Sequence, residues 1–187
     1  MTLRDEYYAA KTRKTDINEH LPTLFSLALE CGHITEMGVR TGESTRALLY
    51  GASCSTHRII PIVRSYDLNI DWSVVTLFQQ AKRESVDVSY IIGNSLTVDI
   101  EPTDFLFIDT DHRYEQLTGE LERHAPQVSQ YIAMHDTYTM GLGAKDTEPR
   151  GLLTAIIDFL IRHPNEWAFH SYATYNNGLT VLHRIDI

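Results

Sequence analysis

Residues 34–45 read ITEMGVRTGEST, and this stretch decides the fold. It predicts a short apolar strand, a turn with two glycines and a helix that begins directly afterwards, with Ser44 or Thr45 as its N-cap. Gly38 and Gly42 tolerate backbone angles and close ligand approach that other residues do not. Free amide groups at such a helix start suit a nucleotide-like or carboxylate-bearing ligand. A tight turn without a ligand explains the stretch equally well, so the rest of the chain has to decide.

Outward from this unit, apolar runs rich in β-branched residues alternate with segments of helical period. This alternation predicts a parallel sheet with helices on both faces, an α/β, Rossmann-like doubly wound fold. Asn177-Gly178 predicts a terminal hairpin, which adds an antiparallel strand at one edge. The predicted strands are 33–38, a run from Ile59 that ends near Asp67, 87–92, 104–108, 130–134, 166–172 and 178–184; the predicted helices are 17–30, 44–51, 72–83, 113–125 and 149–161.

The domain organisation follows from the same pattern. Residues 1–16 are polar and predict an N-terminal arm, whereas 17–187 predict a single domain. Asp16 is the predicted N-cap of the first helix, and Pro149 is predicted in the first turn of the last helix. With 187 residues, of which 43% are hydrophobic, the chain can bury a substantial core.

Charge and composition exclude several classes of partner. The net charge of −9 argues against nucleic acid, because phosphate binding needs a basic face. No apolar run approaches the ~20 residues that span a bilayer, and the N-terminus lacks the apolar core of a signal peptide. Cys31 and Cys54 are too far apart for a C-x-x-C site and are predicted to be reduced thiols that pack as small buried hydrophobes. We therefore expect a cytoplasmic protein with no membrane partner.

Polar residues follow each of the first five predicted strands, at the edge where open α/β sheets bind ligands. Asp67 is suited to accept two hydrogen bonds from a ribose diol, although a helix cap or a solvated turn is as good an explanation. Asn94 and Ser95 can pair with the edge of a base. For each of them taken singly, a turn is the better explanation.

A group of acids and histidines follows predicted strands four and five. The carboxylates of Asp109, Asp111 and Asp136 suit Mg²⁺ or Mn²⁺, and without a cation they would repel one another. His112 and His135 can act as bases near neutral pH. Loop capping is the alternative for the acids. The remaining histidines are predicted to be structural: His20, His33, His57, His124, His163, His170 and His183.

Taken together, these motifs resemble the class I S-adenosylmethionine-dependent methyltransferases. Within that class the chain is most similar to methyltransferase family 24, which neighbours macrolide and sugar O-methyltransferases and cephalosporin hydroxylase-like proteins. The resemblance covers roughly residues 17–184 and implies a seven-stranded sheet with an antiparallel seventh strand. The motifs that carry it are EMGVRTG at 36–42, Asp67, GNS at 93–95, FIDTDHRYE at 107–115 and HDT at 135–137.

The resemblance also implies a role for each residue. The two glycines would lie against the methionine portion of the cofactor, the acid before them would anchor their turn, and Asp67 would hold the ribose. Asn94 and Ser95 would lie at the adenine. The implied cofactor-binding residues are Glu36, Gly38, Arg40, Gly42, Asp67, Asn94, Ser95 and Asp109.

The implied chemistry centres on the acid and histidine group. Asp109 and Asp136 match positions that bind Mg²⁺ in metal-dependent O-methyltransferases, with Asp111 or His135 as additional ligands. His112 matches the position of a general base, with Asp109 as the second catalytic residue.

Two residues depart from the family pattern. Arg40 stands where many members carry glycine, and an arginine there can pair with the carboxylate of the cofactor or block its approach. Thr137 stands where some metal-dependent relatives have an acid or an asparagine, which thins the metal shell. The elements that would cover an acceptor are also short, so we expect that a second copy of the chain helps to close the site.

The sequence therefore predicts an S-adenosylmethionine-dependent O-methyltransferase, assisted by Mg²⁺ or Mn²⁺, that acts on a hydroxyl of a sugar or another small polyol. One rival is a metal-dependent hydroxylase or hydrolase on the same scaffold. Another is a non-catalytic nucleotide-binding module in a glycan-building assembly. A nicotinamide dehydrogenase ranks lower, because the tight G-x-G-x-x-G order is missing.

Overall fold

The structure is a computed structural model that describes residues 1–56, 60–143 and 150–185. Its strands are β1 (His33–Met37), β2 (Ile62–Asp67), β3 (Asp87–Ile92), β4 (Thr103–Ile108), β5 (Val128–His135), β6 (Trp167–Ala173) and β7 (Leu179–Arg184). Its helices are α1 (Leu3–Thr12), α2 (Leu21–Leu29), α3 (Glu43–Cys54), α4 (Trp72–Arg83), α5 (Tyr114–His124) and α6 (Leu152–Arg162), with short 3₁₀ turns at Asn18–His20 and Ala125–Gln127.

All seven strands form one sheet in the order β3-β2-β1-β4-β5-β7-β6. Strands β1 to β5 are parallel, and β7 runs antiparallel between β5 and β6. The predicted α/β class and the antiparallel strand of the terminal hairpin are confirmed. The chain reverses its direction of winding between β1 and β4, and the crevice at that point is where such sheets bind ligands.

Strand β4 shows why the sheet carries a core on each face. Phe105 and Phe107 pack into the cluster covered by α1 to α4, whereas Leu106 and Ile108 pack into the cluster covered by α5 and α6. Because side chains alternate along a strand, a continuous apolar run fills both faces. The strand therefore lies at the centre of the molecule, and the polar residues after it emerge at the edge of the sheet.

Helix α1 corrects one prediction. The polar arm expected over 1–16 is wrong for Leu3–Thr12, which is helical and begins with a capping box between Thr2 and Asp5. Leu3, Tyr7 and Ala10 are buried at helical spacing. The composition concealed this helix because only one narrow stripe of it is apolar.

The first predicted cap is also wrong. Asp16 does not cap a helix over 17–30, because the chain first makes the 3₁₀ turn at Asn18–His20 and α2 then begins at Leu21. The Asp16 carboxylate instead pairs with Arg40, with 3.1 Å between Oδ2 and Nη1. It thereby connects the segment before α2 to the glycine turn.

Other expectations are met in part. Helix α4 and strand β3 have the predicted bounds, and the turn between β6 and β7 contains positive φ angles at Asn176, Asn177 and Gly178. Both cysteines are free, but Cys54 is exposed, so the prediction that both are buried is wrong for it. His57, Ile59 and Pro149 lie outside the described residues. Across the described ranges, no helix is both long and apolar enough to cross a membrane.

Candidate active site at the carboxyl edge of the sheet

A cavity of about 920 Å³ opens at the carboxyl ends of β1 to β4. Most of the polar residues predicted from the strand ends line it, whereas Glu36 and Gly42 are not among its lining residues. The lining residues are Gly38, Arg40, Tyr66, Asp67, Leu68, Asn69, Ile70, Asp71, Trp72, Gly93, Asn94, Ser95, Asp109, Thr110, Asp111, Arg113 and Gln116.

Gly38 is required by the sheet itself. Its φ is +86°, and a Cβ there would lie 1.9 Å from the main-chain oxygen of Asp109. The Asp109 amide donates to the Met37 oxygen at 2.8 Å, which holds β4 close against the turn. This glycine is therefore explained by the contact between the ends of β1 and β4, whether or not a ligand is bound.

Asp67 shapes the glycine turn. Its Oδ2 accepts hydrogen bonds from the amides of Val39 at 2.8 Å and Arg40 at 2.9 Å, and its Oδ1 accepts one from the amide of Asn69 at 3.2 Å. Each carboxylate oxygen has two acceptor positions, so the group can also accept hydrogen bonds from a diol in the cavity.

Arg40 stands at the mouth of the cavity with a positive φ of 48°. Its side chain is 77% exposed, and its partner is Asp16. An exposed pair of this kind contributes little to stability. The predicted contact of Arg40 with a ligand carboxylate stays a prediction.

Glu36 lies behind the turn and is fully buried. Its carboxyl accepts hydrogen bonds from the hydroxyls of Ser44 at 2.6 Å, Ser65 at 2.7 Å and Thr45 at 3.0 Å. The prediction that Ser44 or Thr45 caps α3 is therefore wrong. Their hydroxyls turn inward, and Gly42 is the N-cap residue. Burial raises the pKa of Glu36 to about 7, although the three hydroxyls oppose the shift.

Two histidines and two acids form a compact cluster beside the cavity. His112 Nε2 lies 2.9 Å from Asp136 Oδ2 and 3.4 Å from Asp109 Oδ1. His135 Nδ1 lies 3.1 Å and 3.4 Å from the same two oxygens. On its other side, His135 Nε2 lies within hydrogen-bond distance of the main-chain oxygens of Asp16 at 3.1 Å and Asn176 at 3.2 Å.

The acids and histidines of this cluster stabilise each other's charged forms. Hydrogen bonds to Asp109 and Asp136 raise the pKa of His112 to about 10. Burial lowers the pKa of His135, but the two carboxylates outweigh burial and raise it to about 10. Burial raises the pKa of each acid, and the histidines outweigh it, so that both acids have lowered pKa values. The counter-charge that the sequence analysis assigned to a cation is thus supplied here by imidazolium groups.

The cluster also meets the first requirement of a metal site. One ligand atom each from Asp109, His112 and Asp136 lie within 4.8 Å of one another. Two carboxylates and one imidazole suit Mn²⁺ as well as Mg²⁺, provided that His112 gives up its proton. Asp136 has a φ of 58°, a left-handed backbone angle that aspartate adopts more readily than most residues other than glycine.

The three-atom group contains the predicted ligands Asp109 and Asp136 but not the predicted ligands Asp111 and His135. Asp111 is half exposed and is paired with Arg113, so it does not join the three-atom group. Thr137 is buried, and its hydroxyl accepts a hydrogen bond from Thr180 at 2.9 Å. The third atom of the group belongs to His112, which was predicted to be the base and not a ligand.

Sequence reasoning missed the apolar rim of the cavity and one buried acid. Leu68, Ile70 and Trp72 line the cavity and remain substantially exposed. The signal in the sequence that points to this rim is the apolar character of these residues directly after Asp67. Glu120 faces inward from α5, and nothing in the sequence sets it apart from a surface acid. His20, predicted to be structural, is buried with its ring 5.7 Å from that of His135.

No family model matches the chain, and no curated protein sequence matches it significantly. Solved structures resemble it in fold. The O-methyltransferase from Bacillus cereus in complex with SAH is 18% identical with a TM-score of 0.66, over 98% of this chain and 89% of that one. The SAH-bound methyltransferase PaMTH1 from Podospora anserina is 16% identical with a TM-score of 0.59, over 98% and 88%.

A third structure widens the comparison. The N-methyltransferase NodS from Bradyrhizobium japonicum, in complex with S-adenosyl-L-homocysteine, is 12% identical with a TM-score of 0.63, over the full length of both chains. The chain therefore has the fold of the class I methyltransferases, as the resemblance implied. Because that fold carries both O- and N-methylation among these neighbours, it does not by itself select the acceptor.

Proposed function

We propose that the protein is an S-adenosylmethionine-dependent O-methyltransferase that acts on a hydroxyl of a sugar or another small polyol. The observation that carries this proposal is the position of the cavity of about 920 Å³, which shares Asp109 with the Asp109–His112–Asp136 cluster. A cofactor in the cavity and an acceptor at the cluster would meet at that residue. The SAH-bound methyltransferases of the same fold support the choice of cofactor.

The cavity offers the groups that such a cofactor needs. Asp67 would hold the ribose hydroxyls, and Asn94 and Ser95 would lie at the base. The apolar side chains of Leu68 and Ile70 would cover the flat face of the base, since binding sites are largely apolar with a few polar groups that fix orientation. S-adenosylmethionine supplies an electrophilic methyl group when bound.

The cluster would handle the proton of the acceptor. A hydroxyl is a poor nucleophile at neutral pH and needs a group that takes up its proton as the new bond forms. His112 is protonated at neutral pH in the metal-free cluster, so it becomes a base only after losing that proton. A divalent ion held by Asp109 and Asp136 would displace that proton and leave His112 as the base, and a bound Mg²⁺ or Mn²⁺ lowers the pKa of a neighbouring hydroxyl.

A sugar or polyol suits the charge of the site. The two acids can accept hydrogen bonds from neighbouring hydroxyls, and a net charge of −9 disfavours an anionic acceptor. The narrower relationship to family 24, the cytoplasmic location and the self-association of the chain stay predictions.

The test is calorimetry with S-adenosylmethionine, followed by a methyl-transfer assay on a panel of sugars and polyols. Asp67→Ala should weaken cofactor binding by about 1–3 kcal/mol, the usual cost of losing hydrogen bonds to a charged group. Asp99→Ala is the matched control, because Asp99 is an exposed acid paired with Arg123 away from the cavity. If the wild-type chain does not bind S-adenosylmethionine, the proposal is refuted.

The metal and the base are tested in the same assay. Excess chelator should abolish methyl transfer and leave cofactor binding intact, because the ion would serve the acceptor. His112→Ala should lower turnover by roughly 10²–10⁴-fold, the usual contribution of a positioned base. Full activity in chelator would mean that no metal ion is required and that the cluster orients the acceptor through hydrogen bonds.

A further inference from the structure

Glu120 is a fully buried acid on α5 that lies directly behind the wall of the large cavity. Its Oε1 accepts three hydrogen bonds, from Ser95 Oγ at 2.5 Å, Thr110 Oγ1 at 2.6 Å and Gln116 Nε2 at 2.8 Å. Gln116 Nε2 also donates to Ser95 Oγ at 3.0 Å. In the part of the chain that the structure describes, the buried Oε2 of Glu120 has no hydrogen-bond partner.

Packing alone does not call for an acid at this position. Leu117 and Leu121 already anchor α5 in the core. A buried carboxyl with one unpaired oxygen is costly, and such a group in a native structure asks for an explanation. The three donors that converge on Glu120 all belong to residues that line the cavity, whereas Glu120 itself does not line it.

The consequence lies in the direction of two hydroxyl protons. A hydroxyl has a single proton and two acceptor lone pairs. Because the hydroxyls of Ser95 and Thr110 both donate their proton to Glu120, each of them has only lone pairs left for a ligand in the cavity. These two hydroxyls therefore accept hydrogen bonds from a ligand and do not donate them.

We propose that Glu120 sets this polarity and thereby selects a 6-aminopurine over a 6-oxopurine in the cavity. The proposal rests on the proposed function, in which the base of S-adenosylmethionine lies at Asn94 and Ser95. A 6-amino group donates hydrogen bonds to the lone pairs of the wall. A 6-oxo group presents its own lone pairs to them and is repelled. Glu120 is thus a positioning residue that acts through Ser95 and Thr110 without touching the ligand.

The experiment compares the dissociation constants of S-adenosylhomocysteine and S-inosylhomocysteine by calorimetry on the full chain. The wild type should prefer the adenosyl compound by at least about tenfold, since an unmatched buried acceptor is costly. Glu120→Gln keeps an acceptor oxygen for the three donors and should keep the preference. Glu120→Leu frees the hydroxyl protons, which can then rotate toward a 6-oxo group, so the preference should fall toward unity.

Thr110→Val provides a second measurement if Glu120→Leu does not fold. It removes one oxygen from the wall, leaves Glu120 in place, and should also reduce the preference. If Glu120→Leu weakens both compounds equally and keeps their ratio, Glu120 has a purely structural role and the proposal is wrong. A wild type that binds both compounds equally well overturns the proposal and leaves the proposed function standing. A wild type that binds neither overturns both.

Discussion

Glu36 is an ionisable residue that is completely buried at the start of the glycine turn. Three hydroxyls from α3 and β2 point at its carboxyl, and no cation accompanies them among its hydrogen-bond partners within the described ranges. Hydroxyls donate to a carboxylate but cannot neutralise it, which is why burial prevails and raises the pKa of Glu36 to about 7. The protonation state of this one residue is therefore linked to folding in the physiological range of pH.

The sign of that linkage gives a prediction. The folded pKa of about 7 exceeds the ordinary value of 4.5, so the stabilising contribution of the protonated form is complete below pH 4.5 and is lost as the pH rises through 7. At about 1.4 kcal/mol per pH unit, the free energy of unfolding of the wild type should fall by roughly 3 kcal/mol relative to Glu36→Gln between pH 4.5 and pH 8. Urea unfolding of both proteins across this range measures it. A constant difference between the two proteins would contradict the raised pKa.

At the scale of elements, the turn between β6 and β7 connects three parts of the molecule. The Asn176 side chain accepts a hydrogen bond from the amide of Glu19 at 3.0 Å and donates one to the Thr15 oxygen at 2.9 Å. Its main-chain oxygen lies 3.1 Å from His20 Nε2 and 3.2 Å from His135 Nε2. The hairpin is thereby fastened both to the segment before α2 and to the acid and histidine cluster.

Alanine substitutions in this turn should separate strain from hydrogen bonding. Asn176 and Asn177 both have positive φ, but in the described structure only the Asn176 side chain makes hydrogen bonds. Asn177→Ala should lower the free energy of unfolding by about 1 kcal/mol through strain alone. Asn176→Ala should lower it by about 2–4 kcal/mol, because two hydrogen bonds are lost as well. Equal effects in thermal or urea unfolding would mean that the Asn176 contacts contribute nothing.

Elements that bury a broad apolar surface were predictable from the sequence, and those that bury a narrow one were not. Strand β4 is an uninterrupted apolar run, so its existence and depth followed directly, and the acids after it had to emerge at one edge because parallel strands share that edge. Helix α1 buries only Leu3, Tyr7 and Ala10, which leaves a polar composition. Glu120 needed the orientation of α5, and the pairing of Asp111 with Arg113 needed local geometry, neither of which a linear pattern contains.

At the scale of the whole molecule, α1 supports the turn on which the cavity is built. Tyr7 packs against Phe25 and Tyr50, with ring centroids 5.3 Å apart in each case. Glu6 accepts a hydrogen bond from Arg46 Nε at 3.1 Å, and Arg46 Nη1 donates to the main-chain oxygens of Thr41 and Gly42. The hydrogen bonds of Arg46 thus connect the first helix to the glycine turn.

Two adjacent tyrosines of α1 provide a matched test of this support. Tyr7→Ala removes a buried ring and should lower the free energy of unfolding by about 3–5 kcal/mol, as other large core truncations do. Tyr8→Ala removes a ring that is half exposed and should cost about 1 kcal/mol or less. Urea unfolding measures both. A small and equal loss for the two variants would restore the view of residues 1–16 as a detached arm.

The contacts of His135 have a consequence for the order of events in folding. Its Nε2 meets one main-chain oxygen 119 residues earlier in the chain and another 41 residues later. Closing such long loops is entropically slow, whereas β1 to β3 and the helices between them assemble from nearer neighbours. A refolding chain should therefore recover its circular-dichroism signal before the acid and histidine cluster forms, so the cluster would be among the last parts of the molecule to assemble.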